Sequence, residues 1–116
     1  MRITFPCLAH VVADYQAAYP EPLTIVAGDT VQLGKRDPEN PGWVWCTNRA
    51  GKCGWVPESW LDQHGDSGIA RQAYNAAELT VRNGEELTLY QFESGWFWAA
   101  NNFGQSGWVP EKVVHL

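Results

Sequence analysis

The chain has 116 residues and a formal net charge of −5, from eight Lys and Arg against thirteen Asp and Glu. That balance excludes the basic face expected of a nucleic-acid binder, and no stretch approaches the ~18 apolar residues of a membrane span. Three cysteines, an odd count, argue against a disulfide framework, while seven Trp, four Tyr and four Phe supply unusually large apolar side chains for so short a chain.

The first residues, Met1 to His10, carry one Arg and isolated Ile3 and Phe5, with no apolar run of leader length. This predicts a soluble protein of the reducing cytoplasm. Val31 and Leu33 then alternate with Thr30 and Gln32, the period of a half-buried strand. Segments 44–48 and 52–56 flank Arg49-Ala50-Gly51, which predicts a hairpin with Gly at a position open to positive φ. Residues 63–68, Gln-His-Gly-Asp-Ser-Gly, are polar and Gly-rich and read as a short flexible linker. Beyond them Leu87 and Leu89 alternate with Glu86 and Thr88, and segments 97–101 and 105–109 flank Asn102-Phe103-Gly104. No window has the pattern of an amphipathic helix. Short, closely spaced strands without helices predict an all-β fold of small barrels.

The chain repeats itself. Gly42-Trp43-Val44-Trp45-Cys46 recurs 53 residues later as Gly95-Trp96-Phe97-Trp98-Ala99, and Gly54-Trp55-Val56-Pro57-Glu58 recurs at the same offset as Gly107-Trp108-Val109-Pro110-Glu111. Leu23-Thr24-Ile25 with Gly28-Asp29 recurs 56 residues later as Leu79-Thr80-Val81 with Gly84-Glu85. The offset changes only between these blocks, so the differences in length fall in loops. Two domains are predicted, 7–62 and 69–116, joined by the linker 63–68.

The ordered set Val11-Val12-Ala13-Asp14-Tyr15, Leu23, Gly28-Asp29, Gly42-Trp43, Gly54-Trp55-Val56-Pro57 and Trp60-Leu61 resembles the Src homology 3 (SH3) domain. The family pattern is roughly ALYDY, EL, GD, WW and G-aromatic-x-P-x-N-Y-V. Both copies keep its spacing from the GD motif onward, so the resemblance covers nearly the whole chain. It implies two small five-stranded barrels in tandem, each with an aromatic groove between its RT and n-Src loops that takes proline-rich peptides in the polyproline II conformation. Such a peptide is already extended, so docking it on aromatic ridges costs little entropy.

Carried over by motif, the resemblance implies a groove of Tyr15, Glu21, Trp43, Trp55, Pro57 and Trp60 in the first copy. In the second it implies Tyr74, Glu78, Trp96, Trp108 and Pro110. The first copy departs from the pattern at Ala13, where the family has the first Tyr of ALYDY, and at Pro22, where it has an acid. The second departs further: its RT loop is three residues shorter, and Val113 stands at the NY aromatic. Binding is therefore expected mainly through the first copy. A chain this diverged is similar to the small tandem SH3 proteins of bacteria.

Trp55 and Trp108 are open between packing and groove, and Trp45 and Trp98 read chiefly as covers of their hairpins. Cys46 is expected to face the core, with Cys53 one register away on the other face, which disfavours a bridge. His10, His64 and His115 are not spaced as metal ligands, and no nucleophile elbow, HExxH or phosphate loop is present. No catalytic residue, metal or cofactor is expected. The leading reading is a non-catalytic module, monomeric, whose partners are proline-rich or extended segments of other proteins. A structural protein with its aromatic surfaces buried is the alternative, and binding of cell-wall glycopeptide a third reading, disfavoured by the lack of a leader.

Overall fold

The computed structural model describes residues 3–18 and 22–116. Among the described residues it is all-β: twelve strands and two 3-10 turns, Glu58–Trp60 and Glu111–Val113. The strands are β1 Cys7–Val11, β2 Thr24–Ile25, β3 Thr30–Arg36, β4 Trp43–Thr47, β5 Cys53–Pro57, β6 Leu61–His64, β7 Ser67–Ala70, β8 Tyr74–Asn75, β9 Glu86–Glu93, β10 Trp96–Ala100, β11 Ser106–Pro110 and β12 Val114–His115. Two five-stranded antiparallel sheets result, ordered β11-β10-β9-β1-β12 and β5-β4-β3-β7-β6, with a small pair β2-β8.

The alternations read in the sequence place the core. Val31 and Leu33 of β3, and Leu87 and Leu89 of β9, are buried while their neighbours face outward. Both expected hairpins form. Val44 and Cys46 of β4 point inward with Val56, and Phe97 and Ala99 of β10 point inward with Val109. Register shifts in β3–β4 and β9–β10 bend the sheets.

The boundaries of the packed units differ from those of the repeats. One unit is split in the sequence, Met1–Ala18 with Ala77–Leu116; the other is continuous, Tyr19–Ala76. Strand β1, from the first copy, pairs with β9 and β12 of the second, while β7, from the second copy, pairs with β3 and β6 of the first. The first arm of each repeat has changed places with the other.

The segment expected to be a flexible linker, 63–68, explains the exchange. It is a hairpin in which β6 turns directly into β7 through Gly65 and Asp66, with His64 opposite Ser67 and Gly65 at φ 64°. A turn this tight must lay β7 antiparallel beside β6, in the slot that β1 would otherwise take. The side chains suit the slots. Gly68 occupies in the continuous unit the position that Ala9 occupies in the split unit, each opposite a buried aliphatic residue, Val31 and Leu87. A Cβ at Gly68 would meet the Leu33 Cδ2 at 3.2 Å, a tight fit for anything larger than hydrogen.

Each unit has its own core. That of the split unit centres on Val11, Val81, Leu87, Leu89, Phe97 and Val109, with Ile3 and Phe5 packed against it. That of the continuous unit centres on Leu23, Ile25, Val31, Val44, Val56 and Leu61. Among the described residues no polar or charged side chain is fully buried, so each core is closed by apolar contact.

Candidate functional site

In the split unit the site begins with Tyr15. Its backbone exchanges two 2.8 Å hydrogen bonds with Val81, fixing the ring over the end of the sheet. The hydroxyl donates to Glu78 Oε1 at 2.7 Å, and the same oxygen accepts the Ala18 N–H at 3.0 Å. The edge of one ring meets the face of the other between Tyr15 and Trp96, at 5.8 Å and 79°. Trp96 lies opposite Pro110 in the β10–β11 ladder, and Trp98 lies opposite Trp108 one pleat further along the same face, the rings 5.4 Å apart. Tyr15 and Trp96 are half-buried, Trp108 and Pro110 buried. The β9–β10 connection is a two-residue turn, Ser94 at φ 43° and Gly95 at φ 90°, so no loop rises beside Trp96. Ser94 is the single positive-φ residue other than glycine among the described residues.

In the continuous unit Tyr74 takes the corresponding place, paired with Ile25 as Tyr15 is with Val81. Here Pro22 stands where the split unit has Glu78, and the Tyr74 hydroxyl donates instead to the Trp55 carbonyl at 2.7 Å. Trp60 meets Tyr74 edge-on at 5.1 Å, and Trp45 meets Trp55 at the same distance. Lys35 Nζ lies 5.9 Å from the centre of the Trp55 ring. A true loop joins β3 to β4 here, and Asp37 folds it by accepting the N–H groups of Glu39 and Asn40. Arg36 donates to Glu58 and to Gln63, both at 2.7 Å.

The residues expected in each groove are thus partly regrouped. Trp43, Trp55, Pro57 and Trp60 share a unit, but with Tyr74 rather than Tyr15. Trp96, Trp108, Pro110 and Glu78 share a unit with Tyr15 rather than Tyr74. Glu21 lies outside the described residues. Trp43 is only 3% exposed and Tyr74 5%, whereas Tyr15 and Trp96 of the split unit are half-buried. The Glu78 carboxylate, expected to meet a ligand, already accepts two hydrogen bonds from its own chain. The sequence signal for this regrouping is the absence of any spacer between β6 and β7, together with Pro22 at the position of Glu78.

The cysteines are all free. Cys46 is fully buried, and burial pushes its thiol up to about 12, outweighing the opposite pull of Arg36. Cys53 lies across the hairpin, opposite Thr47, facing away from Cys46, with its Sγ 3.4 Å from the Thr47 hydroxyl. Among the described residues no group of His, Cys, Asp and Glu could hold a metal, and no helix is long and apolar enough to cross a membrane.

Residues 8–62 match the family model of the variant SH3 domain. The chain is 27% identical over 131 aligned positions to the SH2/SH3 adapter protein dreadlocks of Drosophila melanogaster, in an alignment covering 91% of this chain. It spans 23% of that protein's length. No solved structure matches significantly.

Proposed function

We propose, taking the variant SH3 domain over residues 8–62 as premise, that this chain is a non-catalytic protein-interaction module built of two SH3-like five-stranded barrels with exchanged arms. Its ligands are proline-rich or extended segments of other proteins. The principal docking face is that of the split unit, where Tyr15 and Trp96 form the wall and Pro110 the floor. The observation that carries this reading is the half-exposed, edge-to-face Tyr15–Trp96 pair beside Pro110, an arrangement of rigid flat faces suited to stacking against proline. This relocates the primary groove from Trp43 to Trp96. The three free cysteines fit a reducing compartment such as the cytoplasm.

The burial of Trp43 and Tyr74 favours a second reading for the continuous unit, as a structural companion.

Titration of labelled protein with a proline-rich peptide tests both readings through the indole N–H signals. The Trp96 signal is expected to move and the Trp43 signal to stay, and Trp96→Ala to abolish most binding. A Trp96 indole unmoved at millimolar peptide overturns the docking proposal, and a Trp43 indole that moves as strongly overturns the companion role.

A further inference from the structure

We infer that the continuous unit carries a second binding site, a hollow on the outer face of its sheet that takes the phosphate group of a phosphate monoester. The hollow, of about 240 Å³, is lined by Thr30 and Gln32 of β3, Thr47 at the end of β4, Asn48 and Arg49 of the hairpin turn, and Ser67 of β7. None of these residues belongs to the aromatic faces described above. Register brings them to one side of the sheet. Gln32 lies opposite Ser67 on one flank and Thr47 on the other, and the alternation that buries Val31 and Leu33 turns Thr30 and Gln32 outward.

The lining is rich in donors and includes no carboxylate, although the chain as a whole is acidic. Ser67 already donates to the His64 carbonyl at 3.1 Å, the Thr47 hydroxyl lies 3.4 Å from Cys53 Sγ, and Asn48 folds the turn by accepting the Lys52 N–H at 2.9 Å. The side chains of Thr30, Gln32 and Arg49 make no hydrogen bond or ion pair among the described residues. Arg36 and Arg71 of the same unit, by contrast, have acids beside them, Glu58 at 2.7 Å and Asp62 at 3.8 Å. A guanidinium fork, a hydroxyl and an amide left open together suit the three terminal oxygens of a phosphate monoester better than the two of a carboxylate. Asp29 lines an adjoining hollow that shares Thr30, Asn48 and Arg49; its carboxylate accepts the Val26 N–H at 3.0 Å and keeps an anion out of that side.

The duplication supplies the contrast. The pairs Glu86–His10, Thr88–Leu8 and Thr88–Ala100 of the split unit correspond to Thr30–Ile69, Gln32–Ser67 and Gln32–Thr47. Glu86 therefore stands for Thr30, Leu8 for Ser67 and Ala100 for Thr47, while Asn102 takes the place of Arg49 in the equivalent turn. At these positions the split unit has an acid and no cation, so it repels the ligand that its sister accepts.

Backbone-amide NMR titration of the full chain at constant ionic strength tests this, with a short phosphoserine peptide, its unphosphorylated form and inorganic phosphate as probes. The phosphopeptide is expected to move the Thr30, Gln32 and Arg49 signals and to leave Glu86 and Asn102 unmoved, and the unphosphorylated form to do neither. Arg49→Asn and, independently, Thr30→Glu should each weaken phosphopeptide binding by about tenfold or more, the scale of one hydrogen bond to a charged group. Both positions are exposed, and both variants copy what the split unit carries there, so the fold tolerates them. Thr30 and Arg49 signals that stay still at tens of millimolar phosphopeptide, an equal response to the two peptide forms, or undiminished binding by Arg49→Asn overturns the inference. So does binding of inorganic phosphate alone, which makes the hollow a site for the free ion and not for the ester.

Discussion

Tyr15 and Glu78 are 63 residues apart, one in each repeat, and their 2.7 Å hydrogen bond exists only because the arms are exchanged. In an unexchanged tandem, Tyr74 would sit beside Glu78. A pair of double-mutant cycles therefore reads the topology directly. A hydrogen bond to a charged group contributes about 1.5–3 kcal/mol, and the half-buried setting puts this one near the lower end. Glu78 keeps the Ala18 N–H when the hydroxyl is removed, so Tyr15→Phe should cost about 1–1.5 kcal/mol rather than the full penalty of an orphaned carboxylate. In a unit of this size that lowers the midpoint of thermal unfolding by roughly 4–10 °C. Urea unfolding of the single and double variants, followed by tryptophan fluorescence, should give a coupling of about 1 kcal/mol between Tyr15→Phe and Glu78→Gln. Tyr74→Phe and Glu78→Gln should be additive within about 0.3–0.5 kcal/mol. Coupling that appears in the Tyr74 cycle and vanishes from the Tyr15 cycle would falsify the exchanged arrangement.

Lengthening the β6–β7 turn by about twelve flexible residues between Gly65 and Asp66 removes the constraint that drives the exchange, since such a chain can span to a separate slot. Coupling to Glu78 should then move from Tyr15 to Tyr74; a Tyr15 coupling that stays whole would show that side-chain fit alone selects the slots. Cys46 gives a pH prediction. The unfolded chain releases this thiol proton near the ordinary 9.0, and the folded chain holds it to about 12, so the folded state binds more protons between those values. The contribution is complete below pH 9 and is lost as pH rises, with a limiting slope of about 1.4 kcal/mol per pH unit. Cys46→Ala, which copies Ala99 of the other repeat, should abolish that part of the slope; urea midpoints at pH 8 and 10 for both proteins check it, and parallel losses would refute the buried neutral thiol.

Much of the fold was legible because the signals are local. Alternation at Val31–Leu33 and Leu87–Leu89, and the tight turns at residues 49–51 and 102–104, fix strands and hairpins without reference to partners. The placement of Trp43 against Pro57 and Trp96 against Pro110 follows from the repeat of Gly-Trp and Gly-Trp-Val-Pro. Partner choice is not local. The arms led by β1 and β7 present the same inward pattern, and either satisfies either sheet as far as hydropathy goes. Gly65-Asp66 has the composition of a linker and of a hairpin tip alike; its brevity between two strands is what decides. The burial of Trp43 escaped for a related reason, since a motif places a ring on a strand and the surroundings decide how much of it meets water.

The turn at Gly65-Asp66 has a consequence for how this molecule can be divided. A nick or truncation there does not free one working half from another, because each half would carry away a strand that the other's sheet is using. Loss of either repeat by deletion would strip a tyrosine from one face and a tryptophan from the other. With so little chain between β6 and β7, the two sheets depend on one another's sequence: β1 completes the sheet of β9 and β12, and β7 that of β3 and β6.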